Sequence, residues 1–549
     1  MSTDEYQLID EVLSGTMSRR DLIKRLLAAG LSTSAVAGLL YETGLGGEAE
    51  AASVAEERYL APKRGGTARF ATVVPATDVD PVTMYNEGAI FTTEMSCEYL
   101  CYPRPNFTLA PKLATSWHAS KIPNVWTFNL RQGVKWHDGS AFTADDVVAT
   151  FKRLADPANQ SAGALAAFKT VFSGDVRKVN SHTVQFHLER PYDDFPYLVS
   201  AFNYNALVLP KNYKVGDFVK GKVGTGPFVL TKYTPKVGAT YVKNTHYWAK
   251  GLPYLNGTEM KYYADQTAIV LALQAGAIDA YLDMPYQGSQ AVFGNSSIKV
   301  LSNTSSAYRE FHMRVDQKPF NDKRVRQAVA LSLDRKAIIQ GLWHGFAAMG
   351  NDHGFAPIYP ISALANKQIA QRKQNYTQAK KLLAQAGYAR GFSATLTTEN
   401  FLEIPQYAVI VQQQLKGAGI DVKLNVEDQN TYYGAGANQP WLDVPFGIVD
   451  WAARGAASQT IDAAYLCGAV WNSAHWCNKK YGSLVNQSDR VVNALQREKI
   501  ALQAAKIQYD EVPAVITYWI KELRGTRKNV HGLAAGPASL VDPSGVWLG

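Results

Sequence analysis

Cysteine is scarce in this chain, with four in 549 residues and none before Cys97. A small scaffold stapled by disulfides is therefore excluded, and the N-terminal region offers no thiol for a lipid anchor. No Gly-x-Ser-x-Gly, His-Glu-x-x-His or phosphate-loop pattern occurs, so the common hydrolase and nucleotide-binding signatures are missing. Ser296-Ser297-Ile298-Lys299 has the Ser-x-x-Lys spacing of penicillin-recognising acyl enzymes, but their Ser-Asp-Asn and Lys-Thr-Gly elements are absent. An enzyme is not expected, and neither a catalytic residue, a cofactor nor a resident metal is assigned. Lys and Arg outnumber Asp and Glu by 56 to 47, yet no basic run exceeds a pair such as Lys479-Lys480. The excess favours anionic partners in general, but nothing builds the basic stripe that nucleic acid requires. Repeats of 20 to 50 residues are lacking, which excludes solenoids and propellers.

The apolar stretch nearest the N-terminus, Leu26 to Leu40, is shorter than the roughly 20 residues that cross a bilayer. It follows Ser18-Arg19-Arg20-Asp21-Leu22-Ile23-Lys24, which resembles the twin-arginine export signal, and it precedes Ala49-Glu50-Ala51, small residues spaced for a signal peptidase. Residues 1–51 are expected to be removed, leaving a periplasmic chain without a membrane anchor. Their loss takes away four basic and eight acidic residues and makes the balance more basic.

About 500 residues then remain, more than one hydrophobic core supports, so two or three lobes are expected. The 46% apolar and 19% charged composition is that of a globular protein. A first strand is read in "RGGTARFATVV", an amphipathic helix in the stretch reaching "TTEMSCEYL", and a hairpin around the Gln-Gly turn of "VWTFNLRQGVKWHDG". Thr143 caps a helix whose Asp145 and Asp146 sit at the positive end of its dipole. From Tyr308 onward, longer helices such as "DKRVRQAVALSLDRKAIIQGLW" alternate with strands such as "FSATLTT" and "IDVKLNVED", the texture of a separate α/β lobe. In the first of those helices Val325, Ala328, Val329 and Leu333 share one face, with the arginines expected outside. Four cysteines allow three pairings. Cys467 and Cys477 are the best candidates for a bridge, His475 leaves a Cys-x7-His-x-Cys metal site as the alternative, and the state of Cys97 and Cys101 is open.

Four segments in fixed order, "TFNLRQGVKWHDGSAFTADDVVATFKRL" (127–154), "GTGPFVLTKY" (224–233), "PFNDKRVRQAVALSLDRKAII" (319–339) and "YTQAKKLLAQAGY" (376–388), resemble the family-5 extracellular solute-binding proteins. These are the dipeptide-, oligopeptide- and nickel-complex-binding receptors of ABC importers. The resemblance implies an α/β, type II periplasmic binding protein fold, with lobes I and III around a cleft and an extra lobe II. The boundaries expected are lobe I at residues 61–106, 224–308 and 521–549, lobe II at 107–223 and lobe III at 309–520. It implies a monomer that captures a small solute, most simply a peptide, and delivers it to permease subunits in the inner membrane. An anionic non-peptide solute such as an opine, an acidic sugar or chelated nickel is the alternative, as is a sensor or chaperone role.

Peptide-binding members carry an Asp shortly after a Trp, where it pairs with the peptide amine. The matching stretch here, "GIVDWAARGAASQ", keeps Trp451 but places Arg454 at that position. A guanidinium repels an ammonium, so either Asp450 takes the amine or the solute presents an anion to Arg454. "CGAVWNSAHWCNKKYGSL" resembles the disulfide-bearing loop of the dipeptide receptors and contributes Trp471 and Asn472 to the cleft. Tyr85, Tyr286 and Tyr308 correspond to loops that face the cleft in the family, giving an aromatic wall with few polar anchors.

Overall fold

A computed structural model describes residues 61–75, 78–434, 439–536, 538 and 540–549; the export signal expected in residues 1–51 lies outside them. Gly65–Val546 cluster as one compact unit and Met1–Arg64 with Trp547–Gly549 as another, of which 61–64 and 547–549 are described.

Two long antiparallel strands, Ile298–Met313 and Ala514–Arg527, run through the middle of an 11-stranded mixed sheet. Ala280–Tyr281 pairs with the far end of Ala514–Arg527, at Thr526 and Gly525, and leads on to Thr67–Val73, Gly257–Tyr263, Gly238–Lys243 and Phe228–Thr234. The other end carries Phe446–Trp451 on Tyr308 to Met313, followed by Phe392–Glu399 and Ile420–Glu427. Between these two groups the register of the long strands breaks, at Thr304/Tyr308 and again at Arg309/Glu310. Such irregularities bend a sheet and re-aim side chains locally.

A separate four-stranded antiparallel sheet joins Ala114–Ala119, Val125–Leu130, Thr183–His187 and Val176–Asn180. Here the structure corrects the hairpin expectation: Val125–Leu130 pairs with the upstream strand and with Thr183–His187, not with "VKWHDG". That stretch turns back on itself, Trp136 N–H donating to Ser140 O at 2.9 Å and Gly139 N–H to Trp136 O at 2.9 Å, while His137 N–H donates to Gly224 O at 2.9 Å, so these donors go elsewhere than to Val125–Leu130. The helix Ala144–Ala155 forms as expected, with Thr143 N–H donating to Asp146 Oδ2 at 2.8 Å. The helix expected to reach "MSCEYL" ends at Glu94, so Cys97 and Cys101 lie beyond it as separate buried thiols.

The segment read as one helix from Asp322 to Trp343 is two, Lys323–Leu331 and Arg335–Trp343, because Asp334 caps the second by accepting from Ala337 N–H at 2.9 Å. Val325, Ala328, Val329 and Leu333 are all buried in the core. Two arginines expected outside are buried as well. Arg326 donates to the carbonyls of Glu511 and Phe320 at 2.8 Å each, and Arg335 pairs with Asp352 at 2.6 Å. Burial of a guanidinium is tolerable once its donors are satisfied.

Candidate functional site

The strand Phe446–Trp451 delivers the motif singled out in the sequence to the point where the long strands lose register. Trp451 pairs with Tyr308, their rings 9° from parallel at 6.0 Å, and the Trp471 ring meets Trp451 edge-on at 5.9 Å. Tyr308 is buried, its hydroxyl 3.0 Å from that of Tyr465. Tyr465 in turn donates to Glu310, whose carboxyl burial pushes up to about 7.

Arg454 follows on a loop clamped by its backbone. Its N–H donates to Ser306 Oγ at 2.8 Å, while its carbonyl accepts from Ser306 Oγ at 2.7 Å and from the Tyr359 hydroxyl at 3.1 Å. Gly455 permits this approach: a Cβ there would sit 2.6 Å from Phe202 Cδ2, so a side chain would displace the ring. The guanidinium itself donates only to Ala453 O, at 3.3 Å, and among the described residues it has no carboxylate within 4 Å. Burial lowers its pKa from the ordinary arginine value, and the phenols of Tyr359, Tyr204 and Tyr308 partly offset this. It remains a cation, as arginine does in proteins.

Asp450 is differently placed. The Tyr433 hydroxyl lies within hydrogen-bond distance of its carboxylate and of Glu399 Oε1, the latter at 2.8 Å, and shares its one proton between them, while Gln429 Nε2 donates to Glu399. Burial, then the neighbouring Asp450 charge, raises Glu399 to about 7. Asn472 spends its carboxamide on its own loop, donating to Trp476 O at 2.7 Å and Leu466 O at 3.1 Å and accepting from Trp476 N–H at 3.1 Å. That loop is closed by a Cys467–Cys477 disulfide, and His475 lies 3.2 Å from Asp316. Tyr85 is 57% exposed.

Tyr286 lies away from the Trp451 cluster, against Trp343, Phe346 and Phe293 with its hydroxyl on His344 Nδ1. It lines a cavity of about 320 Å³ together with Glu87, Asp283, Arg309, Phe401 and Glu522. Sequence reading missed these charged residues. The strand that carries Arg309 is polar along much of its length, so nothing in its sequence sets the charged residues apart. Arg309 is 5% exposed and sits 3.0 Å from Glu403 Oε1, which also accepts from the Tyr518 hydroxyl at 3.0 Å.

A third feature joins distant parts of the chain. Arg190 pairs with Asp462 and Asp489 at 2.6 and 2.8 Å, and Arg497 with Asp193 and Asp194 at 2.7 and 2.9 Å. The Tyr192 hydroxyl and Ser458 Oγ lie 2.8 Å apart, and Ser458 donates to Asp194 at 2.6 Å. Burial raises Asp193 to about 6 and, with repulsion from Asp462 and Asp194, Asp489 to about 7. No helix among the described residues is long and apolar enough to cross a membrane.

The arrangement offers aromatic surface, fixed charges of both signs and a ligand-sized space, which suits binding of a small polar solute. Comparison with known proteins agrees. The glutathione-binding protein GsiB of Shigella flexneri is 26% identical over 438 residues, covering 76% of this chain and 82% of the relative. The periplasmic binding protein DppA of Helicobacter pylori, solved with the peptide STSA, superposes with a TM-score of 0.67 at 23% identity, over 90% of this chain and 99% of its own. The binding protein AgaA from A. tumefacien R10, solved with agropinic acid, gives 0.66 at 22% identity over 88% and 99%. The α/β type II periplasmic binding protein fold expected from the sequence is the fold of these structures. Residues 108–472 match the family description "Bacterial extracellular solute-binding proteins, family 5", and the chain belongs to that family.

Proposed function

We propose that the chain is the receptor of an ABC importer for a short peptide or peptide-like solute, and that Arg454 holds an anionic group of that solute. One observation carries the reading: the Arg454 guanidinium, on the loop after Trp451 and within electrostatic reach of the Tyr359, Tyr204 and Tyr308 phenols, has no carboxylate partner among the described residues. A cation so placed is stabilised by an anion that arrives with the solute, and arginine favours carboxylates because its fork matches them. Asp450, the other candidate anchor, is already engaged with Tyr433 and Glu399, which favours Arg454. The name of GsiB, a glutathione-binding protein, and the peptide bound to DppA support a peptide-like ligand.

The receptor works by closure. Lobe III, residues 309–520, swings against lobes I and II about the register break of the long strands, and the closed form presents a surface to the permease. The chain reaches the periplasm by the twin-arginine route and acts as a monomer. Calorimetry of Arg454→Ala and Asp450→Ala against pools of peptides, opines and acidic sugars tests the anchor. A buried bidentate pair makes truncation of Arg454 cost about 2–5 kcal/mol, at least about tenfold in affinity. Peptide binding lost at Asp450 and untouched at Arg454 sinks the anion anchor. Loss of opine or acidic-sugar binding at Arg454, with no peptide bound by the parent protein, moves the solute class away from peptides.

A further inference from the structure

The cavity beside Tyr286 gathers carboxylates from three separate segments. Glu87 opens the helix Glu87–Glu94, Asp283 follows the strand Ala280–Tyr281, and Glu522 lies in Ala514–Arg527. Burial, with the Glu87 charge adding to it, raises Asp283 well above the carboxylate range and Glu522 to about 7. Arg524 is the guanidinium that offsets them, but its donors go to the carbonyls of Leu282, Ala534 and Leu540. Among the described residues none of the three carboxylates enters an ion pair within 4 Å. Like charges gathered in a low-dielectric space without a counterion are costly unless protons or a cation neutralise them.

An independent observation points to a ligand in the same space. Arg309 lines the cavity and is 5% exposed, with Nε beside Glu403. Its two terminal nitrogens make no hydrogen bond among the described residues and are not shut off from solvent. A buried guanidinium with free donors calls for an acceptor. Tyr286, Trp343 and Phe401 supply apolar wall beside it.

We propose that this cavity reads the free amino end of the solute: its ammonium lies against Asp283 and Glu522, with Glu87 behind, and the adjoining carbonyl oxygen accepts from Arg309. The ligand class is then a peptide-like zwitterion with an unblocked amine. Its orientation is fixed, amino end at this cavity and anionic end at Arg454. Glu87 and Arg454 both act on the Tyr204 phenol, in opposite directions, so both lie within electrostatic reach of one half-buried side chain. The inference rests on the peptide reading above, and it assigns the amine to the lobe I side of the cleft instead of to the loop after Trp451.

Retention of a tripeptide pool and of the same pool N-acetylated, read by native mass spectrometry, tests it. The free pool should be retained at least about tenfold better than the acetylated one, and Asp283→Asn with Glu522→Gln should abolish that preference. An arriving ammonium should also displace protons from the cluster. Calorimetry at pH 6.5 in two buffers of different ionisation enthalpy should therefore show proton release on binding that the double variant lacks. Equal retention of both pools, or binding of the free pool without proton release, overturns the assignment and leaves the peptide reading standing. Retention of neither pool by folded protein overturns both.

Discussion

Replacing Arg497 by Ala asks whether the ion-pair cluster around Asp194 belongs to the closed receptor or to the fold itself. The Arg497 side chain is 12% exposed and holds two carboxylates that are 10% and 8% exposed, at 2.7 and 2.9 Å. Truncation leaves Asp193 and Asp194 side by side with the Arg497 charge gone. Removing one partner of a buried pair costs about 3–5 kcal/mol, and the residual exposure here puts the expectation at the lower end, about 3 kcal/mol. If the lobes divide as proposed, Asp193 and Asp194 belong to lobe II and Arg497 to lobe III, and the cost would fall on the closed form. Opening returns both carboxylates to water. Ligand affinity should then fall about a hundredfold, at about 1.4 kcal/mol per decade, because a ligand that binds the closed state must first restore its population. The assay is calorimetry at pH 7.5 with the best-retained peptide, alongside urea unfolding of the unliganded variant. Unchanged affinity together with a loss of about 3 kcal/mol in unliganded stability would refute the reasoning, because the cluster would then be intact before closure. The effect should shrink near pH 5, where Asp193, raised to about 6, carries a proton and no longer needs its partner.

Three further outcomes follow from other parts of the molecule. Asp352 is fully buried and accepts from Arg335 at 2.6 Å, Arg372 at 2.7 Å and Ile516 N–H at 3.1 Å, so Asp352→Asn should lose about 3–5 kcal/mol of unfolding free energy in urea. Lys323→Ala at the exposed pair with Asp510 should change nothing measurable, and an equally small loss at Asp352 would deny its role. Burial raises Glu94 to about 8 and Glu310, Glu399, Glu522 and Asp489 to about 7; a carboxyl with a raised native pKa stabilises most below its unfolded value and loses that contribution as pH rises through the native one. His312 and His353, lowered to about 4 by burial, act oppositely below about pH 6.5 but are fewer, so unfolding free energy should decline between pH 5 and 8, and a rise over that range contradicts the assignment. Replacing both Arg19 and Arg20 with Lys should leave precursor in the cytoplasm; normal periplasmic accumulation of that variant, seen by fractionation, removes the twin-arginine route.

The parts of the fold legible in the sequence were those whose cause is local. The Thr143 cap and the apolar face of Val325, Ala328 and Val329 each follow from spacing within about ten residues, and each is present. Errors arose where a partner distant in sequence decides. Val125–Leu130 found Thr183–His187, some 58 residues on, in place of the segment across its own turn. Arg335 went inside because Asp352 waits there. The same division runs through the site. Trp451 and Arg454 were candidates because they stand in one recognisable stretch, and the structure sets them beside Tyr308 and Ser306. Glu87, Asp283, Arg309 and Glu522 come from four elements that the sheet brings together, and no pattern within any one of them announces the cavity.

The register break between Thr304 and Tyr308 ties these pieces into one device. Ser305 Oγ donates to Ile520 O at 2.8 Å and Ser306 Oγ to Arg454 O at 2.7 Å, so two successive hydroxyls of the irregular stretch hold the backbone of Arg454 and of the strand that carries Glu522. Glu522 stands two residues from Ile520, and Arg309 follows Tyr308 at the next break. A regular ladder would aim these side chains alternately to the two faces of the sheet and fix their separation. The bulged one lets Arg309 and Glu522 line a single cavity and bends the strand pair there. A solute engaging both poles then restrains the stretch about which lobe III is proposed to turn. Replacing Ser306 with Ala removes the clamp on Arg454 without touching either charge, so it should weaken binding through Arg454 and lose most of its effect in an Arg454→Ala background. Equal penalties in both backgrounds would mean that the hydroxyl serves the fold alone and that binding and bending are not coupled through it.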